Sequence, residues 1–357
     1  MFRPFKISAV RHFIIISLML IGAVGTLSAQ DELDTKILFD KFYNKPQGGS
    51  KFRAFLNKFS LGVSTGYGRT YYKHDLSGLG VMQIRDARPI LFPNNSDITD
   101  DELTSAYTNW FSGATQVSDV PIDDSRNDFL VNSDSVELGY KATARSIPVN
   151  LSLNYSFDRY RVGLGATFEF HKIHEFNPIS FSDNLQSFTP QANKATFKRY
   201  YLTLGGRVYS YYDYSLMVDA QVGIMKLGGN FDKSVIKKGV YFNLGASMER
   251  EFSEYFTVFL RPSFEIKNFK VNLPDGPTIT HRQPALFLNI GAYLKLPEHP
   301  RCKIKNCQIQ INHTHGGGKN WRSRMHPFFK KQNPHYGENF PKLLKEKRKN
   351  KKKLNPF

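Results

Sequence analysis

The sequence predicts an all-β fold, an eight-stranded antiparallel up-and-down transmembrane β-barrel with long extracellular loops and a largely irregular C-terminal tail. Ten strands result if the first long link adds a pair. Three observations predict it. Apolar residues recur at every second position between Phe59 and Leu296, the period of a strand with two unlike faces. The links between these runs alternate between short and long. A mean hydropathy of -0.42 leaves one long apolar run, Phe13 to Leu27, at the extreme N-terminus, which excludes a helical membrane protein.

Charge and cysteine content narrow the class further. Two cysteines in 357 residues exclude a disulfide-rich scaffold. The net charge of +18 suggests a nucleic-acid binder until it is divided along the chain. Residues 1–30 carry +3, residues 299–357 carry +14, and the long body between them carries only +1.

Residues 1–30 have the order of a secretory signal peptide: MFRPFKISAVRH, then FIIISLMLIGAVGTL, then Ser28 and Ala29 before the acidic DELD. Residues 31–58 read as a periplasmic linker, with KILFDKFY ahead of the breaker KPQGGS. The barrel proper is expected over 59–296. KFSLGVSTGYGRTYY opens it, with Phe59, Leu61, Val63 and Tyr67 on one face. SLNYSFDRYRVGLGATFEFHK is a hairpin that turns at Asp158 and Arg159. RYYLTLGGRVYSYYDYSLMVDAQVGIM and VYFNLGASMEREFSEYFTVFLRPSFEI repeat that pattern, and ALFLNIGAYLKL closes the set.

Tight turns fall near 158–159, 209–213 and 251–254, whereas the links at 74–145, 173–197, 227–239 and 268–283 are long. Short turns on one rim and long loops on the other describe a barrel of the bacterial outer membrane, crossed by strands of ~11 to 14 residues. Both mature termini are then expected in the periplasm, and outer-membrane lipids are the first partner. The polar face is rich in glycine, as a narrow interior requires. Tyrosines near strand ends, Tyr155, Tyr160, Tyr200 and Tyr214 among them, match an aromatic girdle.

With its signal peptide, the segment from Phe59 to Leu296 resembles the small outer-membrane barrels of Gram-negative bacteria, the OmpA-like and PorT-like proteins. The resemblance implies a structural, adhesive or assembly role rather than an enzyme, and for PorT-like members a part in type IX secretion or motility. No cofactor is expected.

Inward parity selects Arg161, Glu169, Arg199, Arg207, Asp219, Glu249, Arg261, Glu265 and Lys295 as an internal ion-pair network. A gated ion path is the alternative. A rim-active hydrolase or lipid-modifying enzyme is another, with His171 beside Glu169 and His174, and Ser180 and Ser182 in the next loop. The first long loop holds ten acidic residues from Asp97 to Glu137, and Asp119, Asp123, Asp124 and Asp128 crowd together as cation ligands would. VMQIRDARPILF and SVELGYKATAR offer extra hairpin strands there.

Residues 297–357 form a basic periplasmic tail that loses the alternation. Trp321, Arg322, Arg324, Phe328 and Phe329 intermix rings and cations, and Lys347, Arg348, Lys349, Lys351, Lys352 and Lys353 form a charged run. In the periplasm such a tail meets a protein partner or peptidoglycan, not nucleic acid, and its composition suits docking in extended form. Cys302 and Cys307, spaced C-x4-C, are expected to pair as a disulfide in an oxidising compartment. With His313 and His315 they alternatively offer a Cys2His2 metal set, although the spacing matches no standard finger. Oligomeric state is left open by the sequence.

Overall fold

The computed structural model describes residues 51–329 apart from 95–97, 100–101, 124–127, 134–135, 212, 275, 310, 316–318 and 326–327. The signal peptide, most of the linker, Asp124 and the lysine run from Lys347 to Lys353 lie outside the described residues.

A short helix, α1 (Lys51–Asn57), leads into eight long strands. They are β1 (Phe59–Asp75), β2 (Tyr140–Phe157), β3 (Tyr160–Ile173), β4 (Lys194–Tyr211), β5 (Tyr214–Lys226), β6 (Ile236–Glu251), β7 (Phe256–Asn272) and β8 (Thr278–Lys295). Each pairs antiparallel with the next, and β1 pairs with both β8 and β2, so the sheet closes into a ring without free edges. Sequence neighbours are spatial neighbours throughout, as an up-and-down order requires. The turn between β2 and β3 is Asp158–Arg159, where Asp158 takes φ 49°, a left-handed conformation that Asp tolerates.

The strands are longer than the alternation of lipid-type residues suggests, reaching 18 residues in β2, β4 and β8. At ~3.3 Å per residue and a tilt of ~40°, 18 residues rise roughly 45 Å, well past an apolar band of ~25 Å. The long links expected at 74–145, 173–197, 227–239 and 268–283 therefore shrink to 76–139, 174–193, 227–235 and 273–277. The added strand length is held by a core above the band. Tyr140, Ala142 and Ala144 of β2 and Phe269 and Val271 of β7 point inward and are buried there.

Outward positions form an apolar belt. Leu61, Val149, Leu164, Leu204, Val222, Leu244, Leu260 and Ile290 are all exposed large hydrophobics, with Leu164 at 64% and Val240 at 70%. The inner face is closely filled, and glycines make the room. A Cβ on Gly245 would collide with the Arg261 guanidinium, and one on Gly165 with the Tyr201 ring.

The first long link is a folded cap. Strands at Leu79–Gln83, Ile90–Pro93, Ala106–Thr108, Thr115–Val117 and Phe129–Asn132 make one small sheet, and Ile98–Thr99, Glu102–Leu103 and Val120–Pro121 a second. Val81 to Leu91 supply the hairpin that VMQIRDARPILF offers. From the cap, Trp110 and Phe111 reach over the barrel mouth to His74, Phe176, Phe269 and His281.

Candidate functional site

Three regions concentrate chemistry. The first is the bore. Lys267 bridges Glu169 and Glu265 at 2.8 and 3.0 Å, and Arg199 contacts the same two carboxylates. All four side chains are at most 2% exposed. Nearer the short turns, Arg161 grips Glu249 through two hydrogen bonds of 2.5 and 2.9 Å, and Arg261 reaches Asp219 at 2.5 Å and Asn243 at 2.6 Å. Each layer holds two cations and two anions, so buried charge is neutralised locally. A cavity of ≈ 50 Å³ between the layers has room for only a few water molecules.

Two residues expected in this network are elsewhere. Arg207 is exposed and donates to the Asp158 carbonyl at 3.2 Å. It keeps the inward parity, opposite the buried Met217, but lies at the short-turn end of β4, and the register shifts just beyond it. Lys295 is half-buried at the last position of β8, outside both layers. Lys267 is the bore charge that sequence reading missed. It stands two residues after Glu265 and so shares its face, but the strand was expected to end at Ile266.

His171 lies above the upper charge layer, 3% exposed. Its Nε2 meets the Tyr72 hydroxyl at 2.6 Å, while Nδ1 faces Ser146 Oγ at 2.7 Å and Glu169 at 3.3 Å. A nucleophilic relay needs serine and carboxylate on opposite ring nitrogens; here both share Nδ1. Ser180 instead donates to the Glu137 carbonyl at 2.9 Å, and Ser182 and His174 are exposed.

The second region is a collar above the belt. Arg69, Arg145, Lys172, Lys198, Lys226 and Lys270 point outward and are exposed. Register places like charges side by side: Arg69 beside Arg145, Arg145 beside Lys172, and Lys198 beside Lys226. Such pairs repel unless anions lie between them. Higher on the wall, Glu137 meets Lys73 at 2.9 Å, and this ammonium holds the Glu137 carboxyl below its usual range. In the acidic cap, Asp119 is exposed, and Asp128 accepts a hydrogen bond from the Asp123 backbone N–H at 3.1 Å. Among the described residues these aspartates do not gather as a ligand set.

The third region is at the short-turn rim. The tail was expected to be extended, but from Pro297 to Arg324 it folds back on its own barrel. Arg53 of α1 donates to the Pro297 carbonyl at 2.8 Å. Arg322, 3% exposed, pairs with Glu254 at 3.0 Å in the β6–β7 turn and covers the Tyr255 ring at 4.7 Å. Phe328 packs against Tyr255 with ring centroids 4.6 Å apart and the planes tilted by 37°. The Arg324 carbonyl accepts from Arg301, and Trp321 lies opposite His313 in a two-residue ladder. Of these residues, expected to hold a partner, Arg322 is buried against the barrel, whereas Phe328 and Phe329 remain 51% and 74% exposed.

Within this segment the expected disulfide gives way to two free, buried thiols, each aimed at an imidazole. Cys302 Sγ is 3.2 Å from His315 Nε2 and Cys307 Sγ is 3.2 Å from His313 Nε2. The two Nε2 atoms are 3.0 Å apart.

No family model and no curated protein matches the chain, so nothing singles out the OmpA-like or PorT-like families. Solved structures do match, and they are outer-membrane barrels. The outer membrane protease OmpT from Escherichia coli is 12% identical, with 70% of this chain and 97% of that chain covered, at a TM-score of 0.32. A Pseudomonas aeruginosa FadL homologue is 8% identical, covers 69% and 92%, and has a TM-score of 0.18. The expectation that this chain is not an enzyme is withdrawn, because a matched structure is a protease. Likeness at that score assigns no activity and no residue role here.

Proposed function

We propose that the chain is an integral eight-stranded barrel of the outer membrane that anchors and helps assemble envelope machinery. Its short-turn rim carries a folded post-barrel segment, and the basic residues 330–357 continue from it into the periplasm. The observation that carries this reading is the pairing of an all-round apolar belt with a neutralised, filled bore. Lipid alone suits such a belt, and a bore packed at two levels leaves a narrow channel without a path.

The collar supports the same placement. Its adjacent like charges are relieved where phosphate-bearing headgroups meet the upper edge of the belt, which supports a reading with the cap outside and the short turns inside. A secretion or motility assembly is the setting that the PorT-like resemblance implies.

The test compares in-cell crosslinking and pull-down of the whole protein with a version ending at Phe329, which keeps the folded segment. Loss of a specific envelope protein or of sacculus on truncation is expected. Equal recovery by both versions overturns the anchoring role of the tail. Purification from the soluble periplasm without detergent overturns the barrel placement.

A further inference from the structure

We propose that Cys302, Cys307, His313 and His315 form a closed tetrahedral zinc site that pins the post-barrel segment to the short-turn rim. This goes beyond the anchoring role and stands whichever partner the tail meets.

The ligand atoms are already assembled. The two Sγ and two imidazole nitrogens all lie within 4.8 Å of one another. Zn–S bonds of ~2.3 Å and Zn–N bonds of ~2.0 to 2.1 Å give a tetrahedron whose edges are about 3.3 to 3.8 Å. Three of these edges, at 3.2, 3.2 and 3.0 Å, are a few tenths shorter.

A second observation is independent of that spacing. His313 Nδ1 is 2.9 Å from the Ile311 carbonyl, which can only accept. Nδ1 therefore carries the proton, and the lone pair of Nε2 points at the other three ligand atoms. Metal-bound histidines are fixed in this way by the hydrogen bond of their second nitrogen. Each Nε2 has one hydrogen or one lone pair, so the three contacts among these four atoms cannot all be linear hydrogen bonds at once. A dication facing two thiolates satisfies all four.

Ligand chemistry selects the ion. Thiolate and imidazole favour zinc, whereas calcium and magnesium take oxygen. Four protein ligands leave no position for water, so the site is structural rather than catalytic.

Structure explains why a clip is needed at this place. Among the described residues between Pro297 and Arg324, the regular pairing amounts to His313–Thr314 against Asn320–Trp321 and the bridge between Arg301 and Arg322. Few apolar side chains are buried there, and so small a unit depends on a staple. Cys302 N–H donates to the Arg322 carbonyl at 3.0 Å, and Arg322 holds Glu254 and Tyr255 of the barrel. Metal at Cys302 thereby sets the register of the residue that docks the segment.

The experiment uses the full-length protein, extracted in detergent without chelator, with elemental analysis and intact mass. We expect about one zinc per chain and two reduced cysteines. Cys302→Ser, Cys307→Ser and His313→Ala should each drop zinc at least fivefold, with heat-modifiable mobility retained as the sign of an intact barrel. Cobalt exchanged into the wild type should show the intense visible bands of tetrahedral thiolate coordination. Stripping the metal should expose the segment after Leu296 to protease and leave the barrel uncut. Absence of zinc after equilibration with it, retention of zinc by the variants, or a Cys302–Cys307 disulfide in the intact-mass spectrum would overturn the proposal.

Discussion

Between the short turns and the collar, the tube is filled by eight ionised side chains from five strands: Arg161, Glu169, Arg199, Asp219, Glu249, Arg261, Glu265 and Lys267. Above the collar it is filled by rings, Tyr72, His74, Trp110, Phe111, Phe176, Phe269 and His281, two of them lent by the cap. The two fillings obey different rules. Most bore ion pairs join two strands, as Lys267 on β7 joins Glu169 on β3 and Arg199 on β4 joins Glu265 on β7. Such pairs therefore exist only once the ring has closed in register. A slip of one residue would turn every charge toward lipid. The aromatic filling is non-directional and comes partly from a loop, so it adds burial without specifying the ring. The bore defines which strands meet, and the cap seals what they form.

Breaking the bore should have the largest effect. Lys267→Met leaves two buried carboxylates sharing Arg199 alone, a loss of about 3–5 kcal/mol, read as a lower urea midpoint for unfolding in lipid bilayers. Adding Glu265→Gln restores charge balance and should recover most of that loss. A single variant as stable as the parent would mean the bore charges do not specify closure.

The cap should fail locally. Trp110→Ala removes a ring 2% exposed and costs about 3 kcal/mol. Hydrogen exchange should speed at Leu79–Gln83 and Ile90–Pro93 while barrel amides keep their protection. Equal acceleration in both regions would join them into one cooperative unit.

The smallest effect belongs to the collar. Arg145→Gln relieves repulsion with Arg69 and Lys172, a gain of about 0.2–1 kcal/mol in neutral detergent. In bilayers rich in phosphorylated lipid the sign should reverse, because an anion-binding charge has gone. Identical behaviour in both media would deprive the collar of a headgroup role.

How much of this was legible in the sequence follows the same division. Strict alternation such as Leu151, Leu153, Tyr155 names a two-faced strand, and its parity reaches every bore charge except Lys267, which lies beyond the assumed strand end. Arg207 keeps inward parity opposite Met217, but it stands at the short-turn end of β4, where the bore opens to solvent, and alternation does not mark that height. Of the cap only the VMQIRDARPILF hairpin was legible; its other strands are two to four residues long, too short for alternation to mark them. The four residues at the rim were legible as a Cys2His2 set, but only as the alternative to a disulfide, because their spacing matches no standard finger. What the spacing does not show is that the local fold brings all four side-chain atoms within 4.8 Å of one another.

The central claim is that the apolar belt lies in the acyl core and the collar at the headgroups. Tryptophan placed at Leu164 or at Lys172, both outward on β3, reports depth through quenching by brominated acyl chains. The account predicts strong quenching of the Leu164→Trp signal above the background of Trp110 and Trp321, and weak quenching of Lys172→Trp. Quenching that is equal at the two positions, or absent at both, would contradict it.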